Sequence, residues 1–157
     1  MIDLARRVAV QELVAHYGGL LDREDYQGWL DLFDAAASYR IAPRENIDQN
    51  LPASLMLCET KKALTDRLVA MLKANKYRPI VVRHVIGAPE LIEADGERVR
   101  AQAAYSLYHV DGDGHAELYS IGCYDFRLVF VGERAAIRDA VVIVDSFLIP
   151  TLLVKPI

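Results

Sequence analysis

The feature that most constrains this chain is the separation of its helical and strand patterns into two halves. In the first half, apolar residues recur at three-to-five-residue steps, as on one face of a helix. From Pro79 onward the chain carries β-branched and alternating runs, the pattern of strands. Helices that precede strands, rather than alternate with them, are typical of α+β architecture. The sequence therefore predicts N-terminal helices packed on a curved, mainly antiparallel sheet, in a single domain spanning residues 1–157.

Periodicity gives approximate bounds for the helical half. A first helix is predicted over 4–21, and a second, short helix follows Asp25, a residue type that caps helix N-termini well. A third helix is predicted from Thr60 to Lys73. Between the second and third helices, Ser38–Ala42 predicts a short strand, and the polar stretch Arg44–Pro52 predicts a loop.

Short turns divide the second half of the chain into five predicted strands. These strands cover residues 80–86, 91–94, 97–109, 118–131 and 136–144. The dipeptide Asp95-Gly96 is the strongest hairpin signal, because both residue types accept the left-handed backbone that tight hairpin turns require. Consecutive strands joined in this way pair antiparallel, which favours one sheet whose concave face the helices cover.

Charge and cysteine usage exclude several classes of partner. The net charge is −4 and the basic residues are scattered among acids, so the clustered cations that bind nucleic acid are absent. The N-terminal residues lack the apolar core of a signal peptide, and the uncharged stretch Ser146–Val154 is too short to span a bilayer. Cys58 and Cys123 form no CxxC pair and fit a reducing compartment. We therefore expect a cytoplasmic protein that binds neither nucleic acid nor membrane.

Histidine, aspartate and tyrosine side chains could still form a general acid/base site. His84 and His109 lie on neighbouring predicted strands and could face one cavity. With Asp22 or Asp31 from the helical half, and with Tyr39, they would make a proton-transfer site. The alternative is that His84 serves the fold or an interface. No phosphate-binding loop, nucleophile elbow or zinc-protease motif is present, so neither a nucleotide cofactor nor a metal is expected in this chain.

The order and spacing of several short motifs resemble a known family. The motifs are Tyr17-x4-Asp22-x3-Tyr26-x2-Trp29-Leu30-x2-Phe33 followed by Tyr39-Arg40, then Leu64-Thr-Asp-Arg67-Leu68, Arg83-His84-Val85-Ile86-Gly87, Glu117-Leu-Tyr-Ser-Ile-Gly122-Cys-Tyr124, and Asp145 near the end of a β-branched strand. Together they resemble the small (beta) subunits of aromatic-ring-hydroxylating dioxygenases over nearly the whole chain. The chain departs from that pattern at His109 and Ala140, where the family commonly has arginine.

The resemblance implies an NTF2-like fold, a cone of helices against a curved sheet. It implies a trimer of small subunits inside a hexamer of three small and three large (alpha) subunits. The large subunits would carry the Rieske 2Fe–2S cluster, the mononuclear iron and the substrate pocket, and would cis-dihydroxylate an aromatic, benzoate-like compound. Cys58 is followed by Glu59 and Thr60, and Cys123 by Tyr124 and Asp125, so neither begins the Cys-x-His that Rieske ligation needs. This chain would therefore be non-catalytic and free of cofactor.

The resemblance also assigns structural or interface roles to five residues. They are Trp29, Arg67, Arg83, His84 and Asp145. Two other hypotheses stay open at this point. One is a free-standing enzyme of the same fold, resembling scytalone dehydratases or ketosteroid isomerases, in which His84, His109, Tyr39 and Asp22 or Asp31 transfer protons. The other is a non-enzymatic ligand-binding or dimerising module, which would have a pocket without converging titratable groups.

Overall fold

A computed structural model describes residues 2–74, 80–146 and 155–157. The helices there are α1 (Leu4–Asp22), α2 (Tyr26–Leu30), α3 (Arg44–Asp48) and α4 (Lys61–Ala74). The strands are β1 (Phe33–Pro43), β2 (Met56–Cys58), β3 (Val81–Ile86), β4 (Glu90–Asp95), β5 (Arg98–Val110), β6 (Ala116–Val131) and β7 (Arg134–Val144). Helices come mostly before strands, which confirms the predicted α+β class.

The strands form one seven-stranded sheet in the order β2-β1-β7-β6-β5-β3, with β4 pairing to β5 beside β3. Every pair is antiparallel except β1 with β7, which run parallel. The register shifts once in β5–β6 and once in β6–β7. Such irregularities bend strands and increase their twist, which curves the sheet. The mainly antiparallel, curved sheet is thus as predicted.

Local sequence explains most element boundaries. Asp3 caps α1 by accepting the backbone N–H of Arg6 at 2.8 Å, and Asp25 caps α2 by accepting that of Gly28 at 2.9 Å. Thr60 accepts the N–H of Ala63 at 3.0 Å and so begins α4. The predicted Asp95-Gly96 hairpin joins β4 to β5, and Gly96 has a φ of +56°.

Two predicted boundaries in the first half are wrong. The stretch Arg44–Pro52 was expected to be a loop, but its first part forms the short helix α3, none of whose residues is buried. The strand expected over Ser38–Ala42 begins earlier, at Phe33, and its pairing with β7 shifts register between Phe33 and Ser38. The strand β2 was not predicted; it pairs antiparallel with β1.

An aromatic core fills the space between the helices and the concave face of the sheet. Its largest buried side chains are Tyr17, Trp29, Tyr39, Tyr124, Phe126 and Phe130. Trp29 packs edge-on against Phe33 and Tyr39, with ring centroids 4.7 and 5.4 Å away. Such edge-to-face contacts add stability beyond the burial of apolar area. Helix α1 contributes Leu13, Tyr17 and Leu21 to this core, whereas Leu4 and Val8 on its first turns are exposed.

Candidate functional site

A buried carboxylate–imidazole pair lies where the end of α1 meets β3. Both oxygens of Asp22 accept the backbone N–H of His84, at 3.0 and 3.2 Å. Asp22 Oδ1 lies 2.6 Å from His84 Nδ1. The side chains are 8% and 2% exposed, respectively. A carboxylate at this distance favours a proton on Nδ1. Nε2 is buried and has no hydrogen-bond partner among the described residues.

Glycine allows α1 to approach β3 closely enough to make this pair. A Cβ at Gly18 would lie 2.7 Å from Ile86 Cδ1 and 3.2 Å from His84 Cβ. Helix α1 continues through Gly18 and Gly19 to Asp22. The close approach of helix and strand is what brings residues 62 positions apart in sequence into contact.

A second cluster consists of tyrosines in the cone interior. Tyr17 and Tyr39 are fully buried, and their hydroxyls donate hydrogen bonds to the main-chain oxygen of Ile157 at 2.6 and 2.9 Å. Tyr105 stacks on Tyr124 with ring centroids 4.6 Å apart. Burial raises the pKa of Tyr105 to about 12 and that of Tyr17, Tyr39 and Tyr124 further. All four phenols therefore stay protonated at neutral pH, but the buried hydroxyl of Tyr124 has no hydrogen-bond partner among the described residues.

The structure brings together some of the predicted acid/base residues and leaves others apart. His84 and His109 both lie on the concave face, because their strand partners are Leu107 and Val82, respectively. His109 stacks on Tyr119 with ring centroids 3.8 Å apart. Burial lowers the pKa of His109, which favours its neutral form. Asp31 is exposed at the end of α2, where it accepts a hydrogen bond from Gln27 at 2.9 Å, so it does not join the pair.

The residues expected to have structural or interface roles occupy different environments. Trp29 is fully buried in the core, whereas Arg67 is exposed on α4. Arg83 is 65% exposed, and its Nη1 lies 3.6 Å from Asp22 Oδ2. Asp145, just after β7, forms an ion pair with Arg44, and its side chain is 41% exposed.

The structure explains why position 140 is alanine here, where the resembling family commonly has arginine. Ala140 is 1% exposed and lies between Tyr39 of β1 and Phe126 of β6 in the sheet. An arginine at this position would bring its charge into the aromatic core, which costs several kcal/mol unless an acid compensates it. A small, uncharged alanine side chain therefore fits this buried position.

The outer, convex face of the sheet carries exposed apolar side chains, here called the apolar face. They are Val81 and Val85 on β3, Tyr108 on β5, and Leu118 and Ile121 on β6, each between 37% and 58% exposed. The strand register pairs Tyr108 with Leu118, and it places Ser106 between Val85 and Ile121. Arg83, opposite Tyr108, separates Val81 from Val85 on the same face. Clustered exposed apolar residues mark an interaction surface more often than isolated ones do.

The turn after β5 gathers Asp111, Asp113 and His115, whose ligand atoms lie within 4.8 Å of one another. All three are exposed. Asp111 Oδ1 accepts the backbone N–H of both Asp113 and His115 at 2.9 Å. This is the hydrogen-bonding pattern of an Asx turn, which agrees with the sequence interpretation of the segment as a turn.

Sequence reasoning missed the tyrosine–Ile157 contact. Nothing in the spacing of Tyr17 and Tyr39 indicates that both hydroxyls meet one oxygen 140 and 118 positions away. The pairing of Asp22 with His84 was among the hypotheses, but a sequence offers no way to choose Asp22 over Asp31.

None of the described helices is long and apolar enough to cross a membrane.

Comparison with known proteins places this arrangement in a family. The family model for the SnoaL-like domain matches residues 3–140. The chain belongs to the SnoaL-like domain family. The small subunit of anthranilate 1,2-dioxygenase from Burkholderia cepacia is 28% identical over 156 residues, which cover 99% of this chain and 96% of that protein.

Two solved structures share the fold of this SnoaL-like chain. One is a protein from Novosphingobium aromaticivorans assigned as the beta subunit of an aromatic-ring-hydroxylating dioxygenase, with 34% identity, a TM-score of 0.88 and 96% of each chain covered. The other is the beta subunit of benzoate 1,2-dioxygenase from Burkholderia mallei, with 20% identity, a TM-score of 0.74 and 92% of each chain covered. The expected NTF2-like cone and the resemblance to dioxygenase small subunits are both confirmed.

Proposed function

We propose that this chain is the structural small subunit of a Rieske-type aromatic-ring-hydroxylating dioxygenase. In this proposal the whole of residues 1–157 forms one NTF2-like domain in the cytoplasm. Three copies assemble as a trimer and hold three large subunits, which contain the 2Fe–2S cluster and the mononuclear iron. The large subunits cis-dihydroxylate a benzoate-like acid, while this chain supplies contacts and no catalytic group.

The observation that carries the proposal is the apolar face. Val81 and Val85 are 58% and 55% exposed on the edge strand β3, beside Tyr108 on β5. A stable association between subunits requires apolar, well-packed surface at its centre. The full-length similarity to dioxygenase small subunits supplies a partner for that surface.

The donor set of this chain does not fit the iron centres of such an enzyme. Rieske ligation uses two cysteines and two histidines on one cluster. Cys58 is buried on β2, while Cys123 is half-buried on β6 with its Sγ 3.3 Å from the carbonyl oxygen of Tyr124. Burial raises the pKa of both thiols, which disfavours the thiolate that binds iron. The cofactors of the proposed complex are therefore assigned to the large subunit.

Co-expression with the large dioxygenase subunit encoded beside this chain tests the proposal. Size-exclusion chromatography with mass and metal analysis should show one complex that contains iron, and this chain purified alone should be iron-free. Ile121→Lys places a charge in the apolar face and should abolish co-elution. Val131→Lys is the matched control, because Val131 is 72% exposed at the β6–β7 turn and lies outside the apolar face.

Either of two results would refute the structural role. One is the failure of the wild-type chain to co-elute with the large subunit. The other is normal assembly of Ile121→Lys, since a buried lysine at a subunit contact carries a large desolvation penalty. Circular dichroism of both lysine variants shows whether each has kept its fold. Loss of co-elution counts as loss of assembly only for a variant that is folded.

The Asp22–His84 pair favours a second candidate function, a free-standing dehydratase or isomerase. His84 Nε2 would accept a proton from the substrate while Asp22 stabilises the imidazolium. A decisive assay incubates the isolated chain with a β-hydroxy ketone and follows enone absorbance. Turnover that disappears in His84→Gln would establish this function in place of the first. Absence of turnover in the wild-type chain would exclude dehydration of that substrate class.

A further inference from the structure

Helix α1 carries apolar side chains on the side that faces solvent as well as on the side that faces the sheet. Its core-facing residues include Val10, Leu13, Tyr17 and Leu21. On the opposite side, Leu4 is 76% exposed and Val8 is 41% exposed. A helix with apolar residues around most of its circumference is normally covered on both sides. The outer side of α1 therefore has the composition of a contact surface.

The exposed residues on this side follow the spacing of a coiled coil. Leu4, Val8, Gln11 and Ala15 are all exposed and succeed one another at steps of four, three and four residues. Such steps place side chains in one line along the helix, as at the d and a positions of a heptad. These four residues are here called the α1 seam, and Gln11 is its one polar member.

Charged side chains of opposite sign flank the α1 seam. In the same heptad pattern Arg7 occupies a g position and Glu12 an e position, so they lie on different sides of the seam. Both residues are exposed, and neither side chain has an ion pair or a hydrogen bond within the described part of the chain. Each is thus free to pair with a charge on another molecule.

The order of these charges fits a second copy of the same helix. In two parallel helices, a g position of one faces the e position five residues further along the other. Arg7 of each copy then faces Glu12 of the other, which gives two identical ion pairs. In two antiparallel helices, g faces g and e faces e, so like charges would meet. The charge pattern therefore favours a parallel pair.

The loop beside the α1 seam leaves room for another helix. A groove of about 210 Å³ separates Gln11 and Ala15 from the β3–β4 connection, where Gly87, Ala88 and Pro89 line it. These three residues have short side chains and do not reach across the seam. A second helix can therefore approach Gln11 and Ala15 without displacing the connection.

We propose that α1 of one copy packs against α1 of a second copy as a parallel pair with two-fold symmetry. The two seams meet at the centre, and the Arg7–Glu12 pairs flank them. Both helices are already formed by packing on the sheet, so the dimer does not have to supply the free energy of helix nucleation. The seam spans fewer than two heptads, so it buries little area and the association is weak.

This contact goes beyond the structural subunit role and does not depend on it. Helix α1 covers the concave face of the sheet, and its seam points away from the sheet. The apolar face lies on the convex side. Both surfaces can therefore be occupied at the same time, and each can be tested without the other.

Disulfide trapping tests the geometry of the helix pair. Val8 lies in the seam, so two Val8→Cys chains should form a disulfide-linked dimer across the two-fold axis on oxidation. Val69→Cys is the matched control, because Val69 is 43% exposed on α4 and lies outside the seam. The control should stay monomeric on a non-reducing gel. The wild-type chain should do the same, since Cys58 is buried and Cys123 is half-buried.

Charge reversal tests whether the partner is a second copy. Arg7→Glu and Glu12→Arg each bring like charges together and should weaken self-association by roughly three- to tenfold. The double variant restores opposite charges in the dimer and should associate as the unchanged chain does. Sedimentation equilibrium measures the dissociation constants. Every chain in this series also carries Ile121→Lys, so that contacts through the apolar face do not contribute.

Three results would overturn the proposal. Val8→Cys could form a linked dimer no faster than Val69→Cys. The single charge reversals could leave association unchanged, or the double variant could fail to restore it. The thiol of Val8→Cys could be protected from alkylation only when the large subunit is bound, which would assign the seam to that subunit. Co-elution with the large subunit is measured separately, so failure here leaves the proposed structural role standing.

Discussion

Replacement of Asp22 by alanine should destabilise the chain far more than the same change at Asp31. Asp22 accepts the backbone N–H of His84 and lies 2.6 Å from its ring Nδ1, and its side chain is only 8% exposed. Alanine at position 22 would leave both donors of His84 without their acceptor in a site that admits little water. Asp31 accepts one hydrogen bond from Gln27 at an exposed position.

The magnitude follows from the number of donors left unsatisfied. Each buried donor that loses its partner costs about 1–3 kcal/mol, so two give roughly 2–6 kcal/mol. We expect about 3 kcal/mol for Asp22→Ala, because water reaches part of the space that the carboxylate leaves. For a chain of this size, that corresponds to a fall in Tm of about 6–12 °C. Asp31→Ala should stay within about 0.5 kcal/mol.

Urea unfolding followed by circular dichroism measures both free energies of unfolding on the same scale. Asp22→Asn provides a second test, since the amide keeps one acceptor oxygen and should lose roughly half as much stability as alanine. If Asp22→Ala proves no more costly than Asp31→Ala, the Asp22–His84 contact does not stabilise the native state, and both its structural and its proton-transfer interpretations lose their basis.

Two further predictions concern the sheet and the buried phenols. Gly122→Ala should lower the free energy of unfolding by at least about 3 kcal/mol, because the added Cβ would lie 1.9 Å from the carbonyl oxygen of Ile143. Gly112→Ala is the control, since its Cβ would meet nothing within 4 Å. Urea unfolding should show no change in stability for this control. Burial raises the pKa of Tyr105 to about 12 and raises that of Tyr17 as well, so the unfolded chain, with tyrosines near pKa ~10, releases these protons first. Stability should therefore hold up to about pH 10 and fall above it. If phenolate absorbance shows that every tyrosine ionises while the chain is still folded, this prediction is wrong.

The sequence predicted those parts of the fold that have a long, regular pattern. Helices α1 and α4 and the strands β5 to β7 have periodicities sustained over eleven or more residues. Helix α3 has five polar or half-buried residues and presents no periodic face, so its sequence could not be distinguished from a loop. Strand β2 has three residues, too few for alternation to be recognised.

The candidate site was predictable only in part, because its contacts join distant positions. The shared face of His84 and His109 follows from strand register, which period-two alternation reveals. The choice of Asp22 over Asp31 depends on the close approach of Gly18 to β3, which only the three-dimensional packing specifies. The start of β1 at Phe33 was missed because its register shift interrupts the alternation before Ser38.

The parallel pairing of β1 with β7 has a consequence for how this chain folds during its synthesis. The two strands lie side by side in the sheet although Ser38 and Asp139 are 101 positions apart, and their side chains share a 2.7 Å hydrogen bond. Until β7 has left the ribosome, one edge of β1 has no strand to pair with, and unpaired edges recruit other chains. Such a high contact order makes folding slow and delays it until most of the chain has been translated. Chaperones that cover exposed strand edges should therefore change the yield of folded chain more than its final stability.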